Sequence, residues 1–75
     1  IIGNKDLVMG FNLLGIDIFP AETSQEASSI LDRLIDKNYN PIFLIEDIAE
    51  NLLSKIRNIL EKTPVSILTI PAAGI

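Results

Sequence analysis

The residues best suited to chemistry in this chain lie in two polar turns, each of which follows a short apolar run. They are Gly3, Asn4, Lys5 and Asp6 in the first turn, and Glu46 and Asp47 in the second. If the two runs are neighbouring parallel strands, both turns lie at the carboxyl edge of one sheet, where open α/β folds usually bind ligands. Such a crevice could hold a dinucleotide or a metal ion. Alternatively, the crevice is empty and the domain binds a partner through its surface.

A dinucleotide site needs the glycine spacing G-x-G-x-x-G, which lets backbone amides approach a pyrophosphate closely. Here Gly3, Gly10 and Gly15 are separated by seven and five positions. The acids of the second turn would also repel phosphate. The pattern therefore excludes a dinucleotide fingerprint, and we predict no cofactor and no cofactor-binding residues.

A magnesium site of the phospho-receiver kind is the second hypothesis, because carboxylates are the ligands that Mg²⁺ prefers in proteins. The candidate ligands are Asp6, Glu46 and Asp47, with the Thr69 hydroxyl on the last strand. The turn after the first strand lacks, however, the paired acids that such sites place there. Asp6 in a first helical turn and Asp47 at a helix N-cap also have a structural explanation, because acids stabilise both positions.

The third hypothesis is a domain that acts through its surface and binds a partner protein. Phe11, Phe19 and Tyr39 are the aromatic residues that could anchor a partner, although ordinary packing explains each of them better. Glycine within a helix costs about 1 kcal/mol relative to alanine. Gly10 therefore predicts a close backbone approach, either to the sheet or to another protein chain.

Composition narrows the chemistry further. The 75 residues contain no cysteine and no histidine, which removes thiol nucleophiles, disulfides, the commonest zinc ligands and the usual general base. A net charge of −4 with scattered basic residues offers no stripe for nucleic acid, and no apolar run approaches the roughly 20 residues that span a bilayer. We predict one cytoplasmic domain over residues 1–75, without catalytic or metal-binding residues and with its first strand truncated at the N-terminus.

Hydrophobic periodicity predicts four strands that alternate with three helices. The strands are predicted at residues 1–2, 16–19, 41–45 and 65–70, the helices at 4–15, 23–38 and 47–63, and a tail at 71–75. Asn4 and two capping boxes, at 23–26 and 47–50, begin the helices. The apolar stripes are Leu7, Val8, Phe11 and Leu14 in the first helix, Ala27, Ile30, Leu31, Leu34 and Ile35 in the second, and Ala49, Leu52, Leu53, Ile56, Ile59 and Leu60 in the third.

This alternation implies a parallel sheet with right-handed crossovers. Asp17 in the second strand, and Ser66 and Thr69 in the fourth, mark those strands as edges, since central parallel strands are buried on both faces. The predicted fold class is α/β, a small Rossmann-like four-stranded parallel sheet in the order 2-1-3-4.

The order of short motifs along the chain resembles the F subunit of V-type and archaeal A-type rotary ATPases. In that family a strand ending in Ile-Gly is followed by a polar turn and then by Gly-Phe-x-Leu-x-Gly. The residues in those positions here are Gly10, Phe11, Leu13 and Gly15. Residues 45–50 are similar to the family's entry into the helix after strand three, although Asp47 departs from the usual Thr-Glu. Pro64 and Ile70-Pro71 also resemble the family on either side of the last strand.

The resemblance implies a rotor component rather than an enzyme. Family members dock beside the D subunit on the central stalk, at the membrane periphery, and help to couple the A/B catalytic head to proton or sodium transport. Other subunits handle ATP, and a mobile C-terminal helix, which these 75 residues lack, follows the globular domain. The alternative function is a small receiver-like or ligand-binding domain with an acidic magnesium crevice.

Overall fold

A computed structural model describes residues 1–71 and shows a parallel sheet with helices on both faces. The elements are β1 (Ile2–Gly3), α1 (Lys5–Val8), a 3₁₀ helix (Met9–Leu14), β2 (Phe19–Pro20), α2 (Ser24–Asp36), β3 (Ile42–Ile45), α3 (Glu46–Glu50), α4 (Leu53–Lys62) and β4 (Ile67–Ile70). The predicted tail lies outside the described residues, apart from Pro71. Within residues 1–71, no helix has the length and apolar character needed to cross a bilayer.

The sheet has the strand order β2-β1-β3-β4 and is parallel throughout. Ile2 lies opposite Phe19 on one side and Leu44 on the other, and Leu44 lies opposite Thr69. The predicted order is therefore confirmed, with β2 and β4 as the edges. The prediction succeeded because a central parallel strand is buried on both faces and must be apolar, as β3 is, whereas an edge strand can contain polar residues.

The main core lies between the sheet and helices α2, α3 and α4. The predicted stripe of α2 is confirmed, since Ala27, Ile30, Leu31 and Leu34 are buried and Ile35 packs partly buried against them. They pack against Ile2, Ile42 and Leu44 of the sheet, Ala49 of α3, and Leu52 between α3 and α4.

Helix α2 begins and ends as its sequence predicts. The Thr23 hydroxyl accepts a hydrogen bond from the Glu26 amide at 3.1 Å. At the other end Asn38 has φ 62°, and its amide donates to the Ile35 carbonyl while the Tyr39 amide donates to the Leu34 carbonyl. This pair of bonds is the Schellman arrangement that satisfies the last carbonyls of a helix.

The first helix is α-helical for one turn only and continues as the 3₁₀ helix. Gly15, at φ 77°, ends it as predicted. Val8 is buried, whereas Leu14 is 71% exposed, so the predicted apolar stripe is wrong at Leu14. The reason is helical period, because a 3₁₀ helix has 3.0 residues per turn and an α-helix has 3.6.

The third predicted helix is two helices. Helix α3 follows β3 without a loop, so the N-cap is Ile45 and the predicted capping box at Asp47 is wrong. The helix is interrupted before α4, whose N-cap is Leu52. The side chains of α4 therefore do not continue the apolar stripe that a single helix would have. Leu53 and Leu60 are consequently 59% and 47% exposed, contrary to the predicted stripe.

The second strand lies later than predicted and contains Pro20. The amides of Phe19 and Ala21 donate to the Ile1 and Gly3 carbonyls of the neighbouring chain segment, each at 2.9 Å. Pro20 stands between these two donors, where an amide would point away from the sheet. An edge strand accepts proline at such a position without losing a ladder hydrogen bond.

Gly3, rather than Gly10, is the glycine whose position demands the absence of a side chain. A Cβ atom at Gly3 would overlap Cγ1 of Ile45 and lie 3.0 Å from Cγ1 of Val8. A Cβ atom at Gly10 would meet nothing within 4 Å. A close approach of Gly10 to the sheet is therefore wrong, while a close approach to another protein chain stays a prediction.

We expect Gly3→Ala to lower the free energy of unfolding by about 1–3 kcal/mol, because overpacking forces the neighbours apart. Gly10→Ala is the matched control and should leave stability unchanged or raise it by up to about 1 kcal/mol. Urea unfolding measures both values. Equal stability of the two variants would contradict the assigned packing role of Gly3.

Candidate functional site

The crevice at the carboxyl ends of β1 and β3 is where the sequence predicts a ligand. Gly3 ends β1 and Ile45 ends β3. The side chains of Ile45 and Val8 occupy the space beside the Gly3 Cα atom, so hydrocarbon covers the backbone there. Gly3 thus permits close packing between strand and helix at the position where a phosphate would have to approach.

Asn4 uses its polar groups to begin helix α1. Its side-chain oxygen accepts from the Asp6 amide at 2.9 Å, and its carbonyl accepts from the amides of Leu7 and Val8 at 3.0 Å each. This confirms Asn4 as the N-cap. Lys5 and Asp6 are exposed on the first turn of α1, where an acid interacts favourably with the helix dipole.

The second turn is likewise part of a helix start. Glu46 and Asp47 are exposed in the first turn of α3. The Asp47 carboxylate accepts from the Ile48 amide at 2.9 Å, and its carbonyl accepts from the Asn51 side-chain amide at 3.2 Å. Both acids therefore stand where they stabilise the helix.

The structure does not assemble the candidate magnesium ligands. Within residues 1–71 no group of three or more acids is close enough to hold a metal ion. Glu46 and Asp47 are neighbours in α3, while Asp6 belongs to α1. Thr69 is exposed on β4 opposite Leu44. The structural explanation of these acids is therefore the better one.

The three candidate aromatic anchors are all partly buried. Phe19 and Tyr39 meet edge to face, with ring centroids 5.7 Å apart and planes at 84°. Phe11 packs into a separate small cluster around Ile1, Val8 and Ile45. Intramolecular packing accounts for each ring.

The contact between Tyr39 and Asp17 is among those that the sequence did not predict. The Tyr39 hydroxyl donates to the Asp17 carboxylate at 3.2 Å. The negative charge of Asp17 raises the pKa of Tyr39 above its ordinary value of 10.0, with smaller contributions from desolvation and from the hydrogen bond itself. The sequence does show an acid, Asp17, within the apolar run 16–19. This acid indicated an edge strand, but nothing in the sequence identified Tyr39 as its hydrogen-bond partner.

Two surface depressions of about 170 Å³ each lie at the opposite, amino edge of the sheet. Ile16, Tyr39 and Phe43 are among the residues that line the first, where Asp17 is the one lining residue in the described chain with a charged side chain. The second lies between the end of α2 and residues 63–65 and has no charged lining residue in that same part of the chain. Among the described residues, neither depression brings together an acidic and a basic side chain.

Fold and site together define a small doubly wound α/β domain whose two carboxyl-edge turns begin helices. Its family follows from comparison with known proteins. Residues 1–74 match the family model described as ATP synthase (F/14-kDa) subunit. The chain is 33% identical over 72 residues to the F subunit of the V-type ATP synthase from Fusobacterium nucleatum subsp. nucleatum, covering 96% of this chain and 69% of that protein.

The corresponding F subunits of two clostridia are similarly related. The identity over 72 residues is 33% for Clostridium perfringens (strain 13) and 31% for Clostridium botulinum (strain Eklund 17B). These matches cover 96% of this chain and 69% and 70% of the relatives. No solved structure matches significantly. The chain belongs to the ATP synthase F/14-kDa subunit family, which confirms the resemblance of its motifs.

We expect titration with millimolar Mg²⁺ to leave the backbone amide resonances of residues 3–6 and 46–47 unchanged. The reason is that their polar groups begin helices and their acids are not clustered. A sodium chloride titration at equal ionic strength serves as the control in the NMR experiment. Saturable shifts confined to these residues under Mg²⁺ would restore the receiver-like hypothesis.

We expect Asp17→Asn to lower the pKa of Tyr39 toward 10.0, because it removes the negative charge that opposes tyrosinate formation. The chain has one tyrosine and no tryptophan, so tyrosinate absorbance against pH reports this group alone. Asp6→Asn, which makes the same charge change in α1, should leave the pKa where it is.

The sign of the linked stability follows from the raised pKa. The Tyr39 contribution to stability is fully present below the unfolded-state pKa and is lost as pH rises through the folded-state pKa. This loss should be smaller in Asp17→Asn than in the unsubstituted chain. Equal pKa values in the two proteins would contradict the assigned contact.

Proposed function

We propose that this chain is a non-catalytic rotor subunit in the central stalk of a V-type or A-type ATP synthase. There it helps to couple ATP synthesis or hydrolysis to proton or sodium transport. The observation that carries the proposal is the match of residues 1–74 to the ATP synthase F/14-kDa subunit family. Relatives named as the F subunit of V-type ATP synthases support the same assignment.

The proposed partners are the D subunit of the central stalk and the A/B catalytic head. Supporting this, the described chain presents large apolar side chains to solvent, including Leu13 at 89% exposure and Leu14 at 71%. Assembly would cover such side chains and recover the hydrophobic free energy of their burial. The proposed location is the cytoplasmic side of the membrane, peripheral to it as part of the complex.

The proposed absence of catalysis is supported by how the crevice residues are used. Hydrocarbon from Ile45 and Val8 covers Gly3, and Asn4 caps α1 with both of its oxygen atoms. A phosphate-binding turn needs its glycine backbone and leading amides free for the ligand. The turn after β1 commits them to packing and capping.

Co-expression with the matching D subunit should yield a single co-eluting species in size-exclusion chromatography at micromolar concentration. The purified chain alone should show no ATP hydrolysis.

Two separate peaks would contradict the proposed stalk function. So would hydrolysis of ATP by the isolated chain that increases in proportion to its concentration and is lost on Asp47→Asn.

A further inference from the structure

The two faces of the sheet are covered unequally. Side chains of successive strand residues point to opposite faces. Ile42, Leu44 and Ile67 point into the core beneath α2, α3 and α4. Phe43, Ile45 and Ile70 belong to the smaller cluster on the opposite face.

The first helical segment covers only half of that opposite face. Helix α1 contacts β1 and β2, and Ile45 and Val8 are fully buried there. Over β3 and β4, Phe43 and Ile70 are only half-buried, and Leu68, which lies opposite Phe43, is 49% exposed. We call this surface of Phe43, Leu68 and Ile70 the open face. Parallel sheets are normally covered on both faces, so among residues 1–71 the open face lacks its cover.

The open face is also uncharged. Neither β3 nor β4 contains a charged residue, and none occurs in residues 7–16, whose Phe11 packs into the same cluster as Phe43. Most of the chain's charges lie instead in residues 22–37 and 46–62, which cover the other face of the sheet. Buried interface cores are depleted of charge, so an uncharged surface complements an apolar partner surface rather than a charged one.

The dimensions of the open face fit one α-helix. Two neighbouring strands present a surface about 10 Å wide, which is the diameter of a helix with its side chains. Helix α1 and the 3₁₀ helix form a ridge over the adjacent half of the same face. This ridge prevents the flat sheet of a second copy from approaching to the ~10 Å that stacked sheets require, whereas a single helix lies beside it.

We infer that the open face is the docking surface for one α-helix of a partner protein, packed through an uncharged apolar stripe. The inference rests on the proposed stalk function, which supplies the partner. It adds which surface of this chain the partner covers. The exposed leucines of α4, Leu53 and Leu60, lie beside the charged residues Arg57 and Glu61 and are excluded from the contact.

Two leucines of equal exposure provide a matched test. Leu68 of the open face is 49% exposed and Leu60 of α4 is 47% exposed. Leu68→Asp should weaken binding to the matching D subunit of the stalk at least tenfold in titration calorimetry. Leu60→Asp should bind within twofold of the unsubstituted chain. Thermal unfolding of each free variant shows whether it remains folded.

A second measurement does not depend on tolerance of the charge. Because the chain contains no cysteine, Leu68→Cys and Leu60→Cys each introduce a single thiol. In the complex with the D subunit, maleimide labelling at position 68 should slow at least tenfold, while labelling at position 60 should continue at the rate seen in the free chain.

Distinct results would overturn the inference. Loss of binding in Leu60→Asp but not in Leu68→Asp would place the contact on α4. Equal binding by both variants, or unprotected labelling at position 68, would remove the open face from the contact. Protection at position 68 without the D subunit, together with a dimeric mass, would identify a second copy as the occupant. If the unsubstituted chain fails to bind the D subunit, the proposed function itself fails. If the unsubstituted chain binds and any of the results above is found, only the assignment of the open face is rejected.

Discussion

The close contact between Gly3, Ile45 and Val8 is the constraint on which the rest of the structure depends. It joins the ends of the two central strands to the first helix and leaves no room for a Cβ atom between them. Because β1 lies between β2 and β3, a displacement there would disturb pairing on both sides of the sheet. The same contact uses the glycine of the first turn for packing between strand and helix, which is a structural reason for a glycine at this position.

Much of this architecture could be read from local chemistry along the chain. The strand order followed from which strands could tolerate polar residues, and α2 followed from a capped start, a regular stripe and an Asn stop. The 3₁₀ helix and the break at Leu52 could not be read in this way, because an apolar periodicity shows the mean period and not a local change of it. The packing role of Gly3 depended on residues five and 42 positions away, which the chain brings together only on folding.

The candidate site, like the fold, could be predicted from the sequence only in part. The types of Asp6, Glu46 and Asp47 fitted both a metal site and helix starts, and the structure places all three in the first turns of helices. Asp17 and Tyr39 pair across 22 positions in the chain, and neither carries a sequence signal that names the other. Family membership therefore says more about the function of this chain than any single residue does. Among residues 1–71, the fold adds one half of a sheet face that is uncharged and uncovered, and this is the surface that we propose for an assembly partner.

Pro20 has a consequence for the direction in which this sheet can grow. A free sheet edge is a template for another strand, and backbone donors are needed to hold that strand. At the outer side of β2 the chain presents a ring in place of a donor, so this edge resists extension and edge-to-edge aggregation. The edge at β4 contains no proline within Ile67–Ile70. The two edges of the sheet therefore differ: the β2 edge lacks a backbone donor that a further strand would need, whereas no proline removes a donor from β4 within Ile67–Ile70.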